Sequence, residues 1–426
     1  MTDGAHGGEV YRGQPERNAV GRILALGSGP EIRHCNAGWN DMTTEPKNEQ
    51  AAGGLSRRKL LKTGAAAAAT VSSFTYFSRS AQAAEPLRIL CWPGYEERDV
   101  IEEFEDTYKT KVEFKIYIGG EQMLQFFAQT PPGTFDAIIS DAEYVQKLKA
   151  QEAIGEFSTA GFDQLANYHP NFLDFAPTMG DTEGSVYGIP TRFSFYGISY
   201  NTDEMSAEEA ADWNTLLDPK YAGKLGMFDW YLPNMGNASL AINPGNPTPY
   251  EITDEQVAQV KEFMLKMRPQ IGMFGSSNQP IAQAMLAGDI VGSPTGDLDI
   301  DLKLAGYDNF SSTVPKQGGI RWQEVATVCA ASSKKDLAME WVKYMTRPDT
   351  QSRLVYTKAF KARGPNMKIV DYWDDEQKAL LSYVPDPDNP GKMIVETLID
   401  RSMPRGLPTN QPEQMWIDIY NEFKTS

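Results

Sequence analysis

Histidine is scarce, with only three in 426 residues: His6, His34 and His169. The first two precede an export-signal pattern, so one histidine is left for the folded part. That leaves little room for a histidine-based triad or a multi-histidine metal site. Cysteine is equally rare, at Cys35, Cys91 and Cys329. The last two sit in apolar strand-like runs and read as buried free thiols, since two cysteines cannot form a disulfide framework. No cysteine directly follows the signal's apolar run, which argues against a lipid anchor. Basic residues are outnumbered, 40 Lys/Arg against 57 Asp/Glu, for a net charge of −17. That balance argues against a nucleic-acid partner, because binding phosphate needs basic stripes. What remains is ordinary globular composition, 41% hydrophobic and 23% charged, over a length sufficient for two domains.

Ser56-Arg57-Arg58-Lys59-Leu60-Leu61-Lys62 reads as a twin-arginine signal. A soft apolar stretch from Gly64 through Phe77 and the small-residue site Ala81-Gln82-Ala83 follow it. The stretch is about 14 residues, short of the roughly 20 that span a bilayer, and Thr70, Ser72, Ser73 and Thr75 dilute it. Residues 56–83 are therefore expected to be cleaved after passage through the Tat translocase, giving a periplasmic protein. Residues 1–55 are polar, glycine-rich and without apolar periodicity, and are expected to be a disordered leader. Met42 lies at a usual distance before the arginines and is a second candidate start. Residues 1–83 carry ten basic and seven acidic side chains, so their removal takes the charge from −17 to −20. Such a field attracts small cations.

Beyond the signal, Leu87 to Cys91 is a strand stopped by Trp92-Pro93-Gly94-Tyr95. Val100, Ile101, Phe104 and Tyr108 recur at helical spacing. Val112, Phe114, Ile116 and Ile118 alternate as in a strand, Gly119-Gly120 breaks it, and Met123 to Phe127 opens a helix. Phe135 to Ile139 is a buried-type strand, with helix again from Asp141 to Lys149. This alternation predicts βαβ units and a mostly parallel sheet, with ligands at the carboxyl ends of the strands. The same grammar returns after Thr191. Strands are expected at Phe195–Tyr200, Leu225–Phe228, Ile290–Pro294 and Gln323–Ala331. Thr253-Asp254-Glu255-Gln256 has the form of a capping box. Gly288 stops the helix containing Ile281 to Leu286, and Leu337, Trp341 and Met345 mark a late amphipathic helix. The two regions join near residues 191 and 320.

The strand with Cys91-Trp92-Pro93-Gly94-Tyr95, Phe135-Asp136, Tyr187-Gly188-Ile189-Pro190, Trp213 through Lys224, Gly318-Gly319-Ile320-Arg321-Trp322 and Gly364-Pro365-Asn366 occur in an order that resembles the periplasmic spermidine/putrescine-binding proteins of ABC importers. The likeness covers nearly all of residues 87–366. It implies an α/β, two-lobe periplasmic-binding-protein fold of type II with the ligand cleft between lobes. Lobe 1 would comprise residues 84–191 and about 323–426, with the C-terminal helices free to pack across both lobes; lobe 2 would be residues 192–322. It also implies a monomer that closes on its ligand and delivers it to an ABC permease in the inner membrane, with no catalysis, cofactor or metal.

A polyamine site needs carboxylates for the ammonium groups and aromatic walls for the methylene chain. Trp92 and Tyr95 match the family's aromatic pair after the first strand. Asp141 and Glu143 stand where the family usually has a hydroxyl residue and a tyrosine; either could equally be complementing a helix dipole. Asp229 lies in the family's acidic turn, with Trp230 where a second acid often sits. Asp297 matches an amine-binding aspartate, although Thr295 replaces the tryptophan often found before it, and Glu324 replaces an aspartate after Trp322. Asp297, Asp299 and Asp301 are not a calcium loop, because Leu302 and Asp308 stand where glycine and glutamate are needed; a solvated acidic edge is expected. Arg192 and Arg363 fall near the hinge. They are expected to form structural ion pairs, but facing the cleft they would suit a zwitterion such as an opine or an aminoalkylphosphonate. The rival from another class is an exported carboxylate-dependent hydrolase. Against an enzyme, residues 84–426 contain no G-x-S-x-G, H-E-x-x-H, C-x-x-C or P-loop pattern.

Overall fold

The computed structural model of the chain describes residues 85–359 and 361–426. The leader, the twin-arginine signal, Met42, Cys35, His6 and His34 lie outside the described residues. Among the described residues fourteen strands follow in chain order: β1 (Leu87–Cys91), β2 (Val112–Ile116), β3 (Ala137–Asp141), β4 (Ile154–Gly155), β5 (Phe157–Ser158), β6 (Ser185–Val186), β7 (Ile189–Tyr196), β8 (Ile198–Asn201), β9 (Leu225–Phe228), β10 (Ile271–Gly275), β11 (Gly292–Ser293), β12 (Phe310–Thr313), β13 (Gly319–Cys329) and β14 (Ser402–Pro404). They form two mixed sheets and a small β5–β6 ribbon.

The first sheet runs β14-β13-β3-β1-β2, with β4 and β7 also on β13. β1 is covered on both faces, so four of its five residues are apolar and buried, with Arg88 the half-buried exception. Leu87, Ile89 and Cys91 join a core with Phe104, Trp341 and Tyr344. Leu90 points the other way, into a core with Tyr117, Met123, Phe127 and Ile138. Helix Arg98–Tyr108 supplies Val100, Ile101 and Phe104 to the first core, and helix Gly120–Gln129 supplies Met123, Leu124 and Phe127 to the second. Cys91 and Cys329 are buried free thiols, and burial pushes both well above the usual thiol range.

The second sheet runs β10-β9-β11-β8-β12. Helices Tyr231–Ile242 and Asp254–Met267 and the C-terminal helix Glu413–Thr425 bury their apolar stripes in one core, to which the last contributes Trp416, Ile419, Tyr420 and Phe423. The end of the chain therefore packs with the second sheet, because that i, i+3, i+4, i+7 stripe is complementary to those helices.

Several local expectations are met. Thr253 and Gln256 form a reciprocal capping box, and Gly288 closes helix Asn278–Ala287 at φ 76°. Others shift. The strand expected at Phe195–Tyr200 is the end of β7 and all of β8, interrupted at Gly197 where the chain leaves the first sheet for the second. The sheets are mixed, because β13 returns antiparallel to β3 and β8 antiparallel to β11. Among the described residues no helix is long and apolar enough to cross a membrane.

Candidate functional site

β13 organises the site. β7 pairs with residues 320–326 along one edge, so β3, paired at 324–328, and β14, paired at 319–321, share the other edge. β3 is antiparallel to β13 and β14 parallel to it, so the two run toward each other. They stop short, leaving Trp322 and Gln323 without a strand partner on that edge. The carboxyl end of β3 carries Asp141, and the 3-10 turn Ala142–Tyr144 then presents Glu143. Arg405, the first residue beyond β14, faces them.

The Arg405 guanidinium sits at the centre of this gap. Its Nε is 2.5 Å from Glu143 Oε1, and its Nη2 is 2.9 Å from Asp141 Oδ1. Nη1 donates to the Tyr196 hydroxyl at 2.9 Å. The guanidinium also stacks on the ring of Trp230, 4.3 Å from its centroid. Trp230 follows β9, so one side chain joins the carboxyl end of a strand in each sheet. Asp141, Glu143 and Arg405 are 4%, 2% and 3% exposed. Asp141 Oδ2, Glu143 Oε2 and both amide atoms of Gln323 have no hydrogen-bond partner. Trp92 packs against Tyr117, and its indole N–H approaches Asp141 without closing a hydrogen bond of ordinary geometry. Burial pushes the Glu143 carboxyl up to about 7 against the opposing pull of Arg405. Burial raises Asp141 too, again opposed by Arg405.

A neighbouring buried pair sits one strand over. Glu324 lies opposite Arg192 on β7 and Asp141 on β3. Arg192 forks onto it, Nε to Oε2 at 2.7 Å and Nη2 to Oε1 at 3.1 Å. A bulge in β7 beside Thr191 lets successive residues reach the same partner. Thr191 Oγ1 donates to the Glu324 carbonyl and lies 2.6 Å from the Tyr95 hydroxyl, which donates to Glu324 Oε2 at 2.8 Å. Burial raises the Glu324 carboxyl, and Arg192 opposes the shift. Arg192 is thus a structural ion pair rather than an open anion fork.

Asp297 lies at the start of helix Leu298–Leu304, at φ 57°. It accepts Arg363 Nη1 at 2.9 Å, the Ser194 hydroxyl and the Phe195 amide. The cavity beside it measures about 20 Å³, room for roughly one water. The expected acidic edge is therefore only partly solvated: Asp297 is held by Arg363 and Asp299 by Lys303, and Asp301 alone is exposed. Among the described residues no cluster of three or more metal-ligating side chains occurs. Asp229, the residue before Trp230, is exposed and pairs with Lys424 at 2.6 Å rather than with Arg405.

The structure therefore gathers Trp92, Asp141, Glu143 and Trp230 at one junction, places Tyr95 and Glu324 in the adjoining pair, and leaves Asp229 outside. Arg405, Tyr196 and Gln323 were not singled out from the sequence. Arg405 stands between Pro404 and Gly406, a turn-like setting with nothing local to indicate the strand ends it reaches.

Two sheets flanked by helices and joined by crossing strands, with acids and aromatic rings meeting where they join, make up the two-lobe architecture of a solute-binding protein. Residues 99–379 match the family of bacterial extracellular solute-binding proteins, and the chain belongs to that family. Its members bind and hand over solutes and are not enzymes. The chain is 22% identical over 286 residues to the spermidine/putrescine-binding periplasmic protein of Escherichia coli K12, covering 65% of this chain and 76% of that one. It is 23% identical over 299 residues to the putrescine-binding periplasmic protein PotF of the same organism, covering 66% and 79%. The fold is similar to the spermidine/putrescine transporter substrate-binding protein PotD of Streptococcus pneumoniae, with a TM-score of 0.65 at 17% identity over 80% of this chain and 99% of that one.

Proposed function

We propose that this receptor serves an ABC importer by closing its lobes on a cationic amine, with putrescine and spermidine the first ligands to test. The observation that carries the reading is the pair of buried acids at the end of β3, which keep acceptor oxygens unfilled beside an Arg405 guanidinium stacked on Trp230 of the other sheet. A buried acceptor without a donor costs about 1–3 kcal/mol, and an ammonium group supplies the missing donors. Trp92, whose indole N–H approaches Asp141, and Trp230, which carries Arg405, are the rings on which a methylene chain would pack. Tyr95 and Glu324, in the adjoining buried pair, would support the site from behind. The names of the relatives point to the same ligand class. The protein is exported by the twin-arginine route, works as a monomer in the periplasm and docks on an inner-membrane permease.

The zwitterion reading is weaker, because Arg192 and Arg363 are each taken up by a carboxylate. Isothermal calorimetry of the purified protein against putrescine, spermidine, an opine and an aminoalkylphosphonate tests this. Heat with the amines alone is expected; binding confined to the zwitterions would overturn the amine reading.

A further inference from the structure

The carboxylates at the end of β3 already hold a cation of the protein's own. Arg405 meets two carboxylates, a tyrosine hydroxyl and the face of Trp230. Those are the partners that a ligand's cationic group would seek. The surrounding charges can be counted. Glu324 with Arg192 and Asp297 with Arg363 balance one to one. Asp141 and Glu143 set two carboxyl groups against the single Arg405, so that with both ionised one negative charge is left over. The vacant hydrogen-bonding capacity lies in the same place, at Asp141 Oδ2, Glu143 Oε2 and the Gln323 amide. A buried site of low polarity pays heavily for uncompensated charge of either sign.

We infer that Arg405 is a specificity-determining residue which fills one of two cation places at the end of β3, so that a single ligand ammonium completes the balance there. Each further ammonium brought to the junction then meets a guanidinium instead of a free acid. Arg405 thereby sets how many positive charges the ligand is allowed, and the neutral amide of Gln323 is left to orient the one that enters. This rests on the amine reading above.

The test compares butylamine, putrescine and spermidine, with one, two and three ammonium groups, by calorimetry on the wild-type protein and on Arg405→Met. The expected result is a ratio of putrescine to butylamine affinity at least about tenfold higher in Arg405→Met than in wild type, with spermidine shifted further the same way. An unchanged ratio overturns the inference. So does amine binding that is present in wild type and abolished in a folded Arg405→Met, since Arg405 would then support the ligand instead of competing with it. Arg405→Gln, which keeps a donor for Glu143 and drops only the charge, is the second variant and carries the same expectation. Failure of both variants to fold, judged by circular dichroism, assigns Arg405 a purely structural role and also overturns it. If no amine binds even the wild-type protein, the amine reading itself has failed, which is a different result from an unchanged ratio.

Discussion

Arg192 and Glu324 are both buried, and their two-point contact is completed by Tyr95 and by the Pro93 carbonyl, which accepts from Arg192 at 2.9 Å. Removing one member strands the other in a low-dielectric interior. Arg192→Met is therefore expected to cost about 3–5 kcal/mol in urea unfolding, and Arg192→Met with Glu324→Leu to recover most of that loss. A single variant as stable as wild type would contradict the pairing. Glu143 behaves differently, since its carboxyl is raised from 4.5 to about 7, chiefly by burial. Between those values the folded protein keeps a proton that the unfolded chain has released, so stability falls as pH rises through that window. Glu143→Gln is expected to flatten this slope, as read from thermal midpoints between pH 5 and 8. An identical slope in the variant would remove Glu143 as its source. The acids were legible in the sequence, because carboxylates after a buried strand stand out. Arg192 and Arg363 were legible too, as hinge residues expected in structural ion pairs, but Arg405 was not, since Asp141 and Arg405 are brought together only by two strands meeting along β13.

At the scale of elements, the crossing between the sheets depends on backbone packed too closely for side chains. A Cβ on Gly197 would run into the carbonyl of Thr313 on β12, and one on Gly296 into Phe195 O and Gly197 N. Gly296 also sits at φ 72°, where an added side chain is strained. Gly197→Ala should therefore push β8 from β12 and lower stability by about 1–3 kcal/mol, measured as a shifted urea midpoint. No shift would mean that the crossing tolerates more space than the contacts allow. Caps and periodic helices could be read directly, as at Thr253, Gly288 and helix Lys335–Thr346. β14 escaped because three residues carry no periodicity, and β11 is shorter than its apolar run because Ile290 turns into a core under Ile281 instead of pairing.

At the scale of the whole molecule, the sequence announced two α/β regions, and the structure sets how they meet. Arg405 joins β3 to Trp230, and Glu413 at the start of the C-terminal helix joins Lys147 at 3.1 Å to the Tyr231 hydroxyl at 2.5 Å. Both contacts link the first sheet's elements to the second's, and neither follows from local pattern, because their partners are far apart along the chain. On the amine reading proposed above, ligand energy is gained where the two sheets touch, and the acids of β3 are expected to matter more to binding than to the fold of either part. The direct measurement is a calorimetric titration of putrescine into the wild-type protein and into the Asp141→Asn/Glu143→Gln double variant. Saturable binding by the wild type, weakened by about 2–5 kcal/mol in a variant that remains folded, is the predicted result. Equal affinity in both proteins would contradict the account.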